Sequence, residues 1–141
     1  MDKLIDLKPD GSFRMDMSYF GYCQTTVMTS PKFDKLFGGP ARSPESPLTQ
    51  REMDIAASIQ AVTEEIMLRA ARHVHGLTKC DNLVLAGGVA LNCVMNYEIL
   101  KLPFVDEIFI QPGAMDMGTA LGAGVLAIGT VSYTHLRAHE T

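Results

Sequence analysis

Apolar side chains recur every three or four positions at Ile55, Ile59, Val62, Ile66, Ala70 and Val74. That spacing puts them on one side of a helix. Thr49-Gln50-Arg51-Glu52 stands just before them and fits a capping box. In that motif the threonine hydroxyl takes one orphan N–H and the glutamate reaches back to the cap. Glu65 and Arg69 are four apart and can pair on the outer side. Gly76 is a stop signal. Together these predict a helix over 50–75.

The flanking patterns are shorter. Residues 3–7 read as a strand, and Pro9-Asp10-Gly11 as a turn. Phe13, Met15, Met17 and Tyr19 alternate with Arg14, Asp16 and Ser18, a period of two, so residues 3–20 read as a hairpin. Pro31, Gly38, Gly39, Pro40, Pro44 and Pro47 make 30–48 an expected irregular loop. Further on, Leu83-Val84-Leu85-Ala86 has the pattern of a buried strand. It ends in Gly87-Gly88, after which Val89 to Leu100 reads as a helix that Pro103 breaks. Residues 106–110 read as another strand, closed by Gln111-Pro112-Gly113, and 117–128 as a helix of small residues. The second half is thus helix–strand–helix–strand–helix, the alternation of an α/β layer with crossover connections.

Composition narrows the classes. The 141 residues are 47% hydrophobic and 20% charged, ordinary for one modest soluble domain. A net charge of −4 argues against a nucleic-acid surface, which needs a basic patch. Cys23, Cys80 and Cys93 are odd in number and form no CxxC, so reduced thiols in a cytoplasmic protein are expected. No signal-peptide pattern opens the sequence. The apolar stretch at 117–129 falls short of the roughly 20 residues a membrane span needs, so no membrane partner is expected.

Two turns are candidates for chemistry. In Ala86-Gly87-Gly88-Val89-Ala90-Leu91-Asn92, two glycines close a strand and open a helix. Glycine lets backbone approach a ligand, and the helix start offers N–H groups and partial positive charge suited to phosphate. Asn92 can hydrogen-bond a phosphate or ribose. The competing explanation is that Gly87-Gly88 only turns strand into helix. Neither a P-loop nor GxGxxG is present. In Pro112-Gly113-Ala114-Met115-Asp116-Met117-Gly118, a carboxylate sits in a glycine-rich turn after a strand. Asp116 either ligates a metal or caps the following helix. Gly118, Ala120, Gly122 and Gly124 let that helix lie against its neighbours, and Gly118 would also keep space open near a metal and phosphate. Both turns follow strands of one parallel layer, where α/β proteins bind ligands.

Other residues carry less. His73 and His75 are two apart on a helix and cannot share a ligand. Cys93 has no basic partner in view and reads as a buried small residue. His135 and His139 have metal-pair spacing, but they lie in residues 131–141, which continue no pattern and resemble translated sequencing-adapter read-through. That tail is expected to be non-native, with the natural chain continuing past about residue 130 and truncated at its start as well.

Leu85-Ala86-Gly87-Gly88-Val89-Ala90-Leu91-Asn92-Cys93-Val94, Gln111-Pro112 and Asp116-x-Gly118-x-Ala120-Leu121-Gly122-Ala123 together resemble the O-carbamoyltransferases of nodulation-factor and antibiotic biosynthesis. Asp10-Gly11-Ser12-Phe13, Lys35-Leu36-Phe37-Gly38-Gly39-Pro40 and Ala57-Ser58-Ile59-Gln60 are similar to the same family in the same order. The likeness covers about residues 3–128. Its Gly-Gly-Val-Ala-x-Asn core is shared with tRNA threonylcarbamoyl transferases.

The resemblance implies an α/β, actin/Hsp70-like (ASKHA) ATPase fold. Residues 1–130 would form the C-terminal part of a carbamoyltransferase catalytic domain. A downstream domain, missing here, would make carbamoyl adenylate from carbamoyl phosphate and ATP. The transferase domain would pass the carbamoyl group to a hydroxyl of a sugar or antibiotic-like acceptor. By position, Gly87, Gly88 and Asn92 would hold the adenylate phosphate region. Asp116 would be one ligand of a divalent metal, iron(II), acting as a Lewis acid. No other catalytic residue is assigned.

The sequence departs from that family in several places. Nothing corresponds to its upstream histidine pair, and Met115 and Met117 stand where smaller residues are common, narrowing the site. The isolated chain is therefore expected to be inactive. The alternatives are a threonylcarbamoyl-transferase-like or other nucleotide-binding protein of the same fold, and a non-catalytic α/β domain with purely structural glycines.

Overall fold

A computed structural model describes residues 3–138, with side chains described through Val131. The described residues are mixed α/β, with four α-helices and two separate two-stranded sheets. It divides into two compact units, Met1–Thr78 and Lys79–Thr141.

In the first unit, β1 (Ile5–Leu7) and β2 (Phe13–Met15) pair antiparallel with Ile5 opposite Met15. The Asp10 carboxylate accepts from the Ser12 N–H at 3.0 Å and holds the turn. The alternation does not carry the strand to residue 20 as the pattern suggested. Asp16 stops it, because its carboxylate accepts from the Ser18 N–H and caps a 3-10 turn at Met17–Tyr19. Short acidic side chains compete for backbone N–H groups in this way.

The expected irregular loop at 30–48 contains a helix, α1 (Pro31–Leu36). Pro31 starts it rather than breaking it: at the first helical position the missing N–H costs nothing and φ is already set. Phe33 and Phe37 pack one turn apart with ring centroids at 4.5 Å. Irregular chain follows α1 as expected.

α2 spans Gln50–Thr78, three residues beyond the expected end. Gly76 lies inside it. One glycine costs a helix interior about 1 kcal/mol, too little to stop 29 residues. The chain turns instead at Lys79, with φ 58. At the other end Glu52 reaches back to the Thr49 N–H at 2.9 Å, while the Thr49 hydroxyl donates to the same carboxylate. Only the glutamate half of the capping box is formed. The Thr49 hydroxyl first, then the Arg51 guanidinium beside it and the Thr49 N–H, hold the Glu52 carboxyl at about 2, far below its ordinary 4.5. Glu65 and Arg69 pair as expected, at 2.6 Å. Where the hairpin turn meets α2, Gly11 lies against the backbone of Ile66 and Ala70 and Arg69 donates to the Lys8 carbonyl at 3.2 Å; along the helix Val62 and Ala71 are buried. Ile59 and Val74 stay exposed.

In the second unit, β3 (Asn82–Leu85) and β4 (Glu107–Ile110) pair in parallel, Leu83 beside Ile108 and Leu85 beside Ile110. α3 (Cys93–Leu100) lies between them in sequence, making the expected crossover unit. Leu83, Ala90, Met95, Ile99, Leu102 and Ala114 form the core, with Met95 and Ile99 wholly enclosed. β3 is not buried on both faces as its apolar run suggested: Val84 is 74% exposed and its neighbour Phe109 59%. α4 (Met117–Ala138) continues past 128 into the segment 131–138 that showed no pattern. It does not lie against neighbours as its small residues suggested, since open space surrounds Gly122 and Gly124 and Leu121, Val125 and Leu126 are exposed. His139 lies outside the described residues, and the side chain of His135 is not described. No helix of the described residues is long and apolar enough to cross a membrane.

Candidate functional site

The site is built from the two turns that leave β3 and β4. Gly87 has φ 97, a conformation that L side chains rarely adopt. Its N–H donates to the Ala114 carbonyl at 2.7 Å, so the two turns are tied by a backbone bond just past the paired strands. Residues Gly88–Leu91 then form a 3-10 turn, with Ala90 N–H on the Gly87 carbonyl at 3.0 Å. The helix expected from Val89 starts only at Cys93. Asn92 explains the delay: its side-chain oxygen accepts from the Met95 N–H at 3.0 Å, so it caps α3 from outside.

The residues of this turn divide by role. Gly87 has a structural reason to be glycine, and its N–H is engaged. Gly88 has neither reason: its φ is ordinary, and a Cβ built on it would meet nothing within 4 Å. The Gly88 and Val89 N–H groups donate to no backbone carbonyl among the described residues. A ligand oxygen can therefore approach these amides from open space.

The second turn is packed differently. A Cβ on Gly118 would sit 2.5 Å from the Gly113 carbonyl oxygen. Gly118 is thus fixed by contact within its own turn rather than by keeping a cleft open. Asp116 immediately precedes α4, and its backbone carbonyl accepts from the Thr119 N–H at 3.1 Å. Its exposed carboxylate makes no hydrogen bond or ion pair with any described residue. The side-chain cap proposed as the alternative role is not formed. Met115 and Met117, on either side, are exposed.

The described residues do not build a metal centre. No group of three His, Cys, Asp or Glu side chains comes together among them, and Asp116 is a single carboxylate. Cys93 is exposed rather than buried, because the enclosed face of α3 carries Met95, Asn96 and Ile99. The carboxyls with displaced pKa values, Asp10, Asp16 and Glu52, all lie in the first unit. Each is lowered first of all by a side-chain hydrogen bond, from Ser12, Ser18 and Thr49 respectively.

Three residues escape the sequence reading. Ala114 supplies the carbonyl that anchors Gly87. Gln111 places its amide against Gly113 with a buried, unpaired oxygen. Asn96 donates from its amide to the Ala90 carbonyl at 2.7 Å. An asparagine between Met95 and Ile99, on the enclosed face of a short helix, is the one signal the sequence offers for it.

Geometry and pattern define an α/β chain with paired strand–turn–helix units, one turn open to ligand and the other carrying an unengaged carboxylate. The chain belongs to the carbamoyltransferase family, matching the family's "Carbamoyltransferase N-terminus" over residues 1–125. It is 56% identical to the Synechocystis protein sll1178 over 125 residues, 89% of this chain and 20% of that protein. It is 44% identical over 80 residues to nodulation protein NolO of Bradyrhizobium diazoefficiens, 57% of this chain and 15% of that one. Nodulation protein NolNO of Sinorhizobium fredii matches at 42% over 80 residues, again 57% of this chain and 12% of the relative. The chain thus spans about a fifth or less of the length of these relatives.

Proposed function

We infer that the chain contributes the nucleotide-phosphate half of a carbamoyl-transfer site. The observation carrying this reading is the open turn at Gly88: two backbone N–H groups without a backbone acceptor, in space that no side chain fills, tied at Gly87 to the turn that bears Asp116. In this reading the phosphate of carbamoyl adenylate, made from carbamoyl phosphate and ATP, sits on the Gly88 and Val89 amides. Gly87 shapes the turn. Asn92 acts indirectly, by starting α3 where the turn ends. Asp116 offers one oxygen to a divalent cation such as iron(II), and no group of three His, Cys, Asp or Glu side chains gathers among the described residues to complete its shell. The carbamoyl group passes to a hydroxyl of a sugar-like acceptor. The parallel β3–β4 pair with its crossover helix is then part of an actin/Hsp70-like ATPase layer in the cytoplasm, and residues 131–141 play no part.

The test uses a protein that joins this chain to the remaining length its relatives have, supplied with carbamoyl phosphate, ATP and a hydroxyl acceptor. Gly88→Asp puts a like charge where the phosphate would lie, and carbamoyl transfer is expected to fall at least a hundredfold. Asp116→Ala is expected to lower it as well. Unchanged transfer in both would favour the non-catalytic α/β reading. The 141-residue chain alone is expected to transfer no carbamoyl group.

A further inference from the structure

The starting point is Asn96, a polar residue enclosed in the core of the second unit. It is 8% exposed and lies one helical turn after Asn92 on α3. Its Nδ2 donates to the Ala90 carbonyl at 2.7 Å, the only orientation of the amide that a carbonyl acceptor permits. Its Oδ1 is buried and has no hydrogen-bond partner among the described residues.

That arrangement is poor as a source of stability. A buried acceptor without a donor is costly. Leucine, which branches like asparagine but is bulkier, would remove the unpaired oxygen at 96 but leave the buried Ala90 carbonyl unpaired in its place. One orphan is exchanged for another and the added bulk must be accommodated, so leucine brings no gain in stability. What leucine cannot do is hold Ala90. Ala90 closes the 3-10 turn through its N–H on the Gly87 carbonyl, and Asn92 extends it through its N–H on the Val89 carbonyl. Gly87 is held at the opposite end by Ala114. The stretch carrying the Gly88 and Val89 amides is therefore fixed at two points, a backbone bond at Gly87 and a side-chain amide at Ala90. Backbone donors bind an anion well only when they are aimed before it arrives.

We propose that Asn96 is a positioning residue: its amide fixes the Gly87–Ala90 turn so that the Gly88 and Val89 N–H groups stand ready for a nucleotide phosphate. The proposal rests on the phosphate reading of that turn. It predicts a residue whose loss loosens one turn without loosening the core behind it.

The experiment uses the 141-residue chain with Asn96→Leu and Asn96→Asp, followed by amide exchange and amide NMR shifts, with AMP as the probe. In Asn96→Leu, exchange protection at Ala90 and Asn92 falls at least tenfold, while protection at Ile99 stays within about twofold. In Asn96→Asp, the ionised carboxylate has no proton to give to Ala90, so the turn is loose at neutral pH. Burial pushes that carboxyl above the ordinary aspartate range. As pH falls through its raised value, the protonated O–H donates to Ala90 and the wild-type turn shifts return. A purely packing role gives no such pH-dependent return.

Equal protection of the turn in Asn96→Leu overturns the proposal, and so does an Asn96→Asp turn that never recovers. If Asn96→Leu does not fold, the pH response of Asn96→Asp decides alone. If neither variant folds at any pH, Asn96 is a core residue and the proposal is wrong. AMP separates this idea from the one beneath it. No AMP-dependent shift in the wild type sinks the phosphate reading, while the exchange data still decide the positioning role. Binding to the wild type with equal affinity in Asn96→Asp at neutral pH overturns the positioning role alone. A loss of at least tenfold supports both.

Discussion

The two turns that follow β3 and β4 look alike in sequence and are built on opposite principles. Each ends a short parallel strand, contains two glycines and leads into a helix. In the turn after β4 the glycines are crowded: a Cβ on Gly118 would sit 2.5 Å from the Gly113 carbonyl oxygen, and one on Gly113 would sit 3.1 Å from the Gln111 side-chain oxygen. In the turn after β3 nothing crowds the glycines. Gly87 is demanded by its φ alone, and Gly88 is demanded by nothing within the described residues. A glycine that the fold does not need is evidence for a ligand, whereas a glycine packed against a carbonyl is evidence for a fold. The contact with Gly113 gives Gly118 a structural reason of its own and leaves Gly88 as the sharper candidate.

Single substitutions can break this contrast. Gly118→Ala drives a methyl group into the Gly113 carbonyl, and a loss of about 2–3 kcal/mol is expected, the upper range for overpacking. A urea titration followed by circular dichroism measures it, and a loss below half a unit would mean the second turn is no tighter than the first. Gly87→Ala meets no atom but must adopt an extended conformation with positive φ that is all but reserved for glycine, so about 1–3 kcal/mol is expected by the same titration. Gly88→Ala has neither penalty, and its midpoint should match the wild type to within about 0.5 kcal/mol. A larger shift would show a structural demand on Gly88 and blunt the comparison.

The smallest effect lies outside both turns and serves as a control. Glu52 has a folded carboxyl at about 2 against its ordinary 4.5. A lowered carboxyl stabilises the fold above the ordinary value, and that contribution fades as pH falls from 4.5 to about 2. Protection of the first α2 amides should decline across that window and lose the dependence in Glu52→Gln. The Gly88 turn should not respond.

What the sequence made legible was local. The glutamate half of the cap at Thr49, the Glu65–Arg69 pair, the hairpin turn at Asp10 and the parallel crossover from β3 to β4 follow from spacings of two to four residues and from strand–helix alternation. The misses have physical reasons. Pro31 reads as a breaker in the sequence, yet proline fits the first position of a helix and here starts α1. Gly76 reads as a stop in the sequence, yet its cost is small beside the length of α2. Val84 and the small residues of α4 were expected to be covered, because an apolar run says nothing of whether a second layer lies on it. At the site, Gly87, Gly88, Asn92 and Asp116 were legible as a pattern. How those turns are held was not, because it depends on Ala114 and Asn96, whose bonds to Gly87 and Ala90 no local pattern announces.

The central claim is that the Gly88 turn takes a nucleotide phosphate. Its most direct test is a titration of the ¹⁵N-labelled 141-residue chain with AMP, following the Gly88 and Val89 amide resonances in the wild type and in Gly88→Asp. The account predicts saturable shifts centred on those two amides, weaker shifts at Gly87, whose N–H is already engaged, and their loss in Gly88→Asp with the rest of the spectrum retained. Shifts absent from the Gly88 turn, or present and equal in Gly88→Asp, would contradict it.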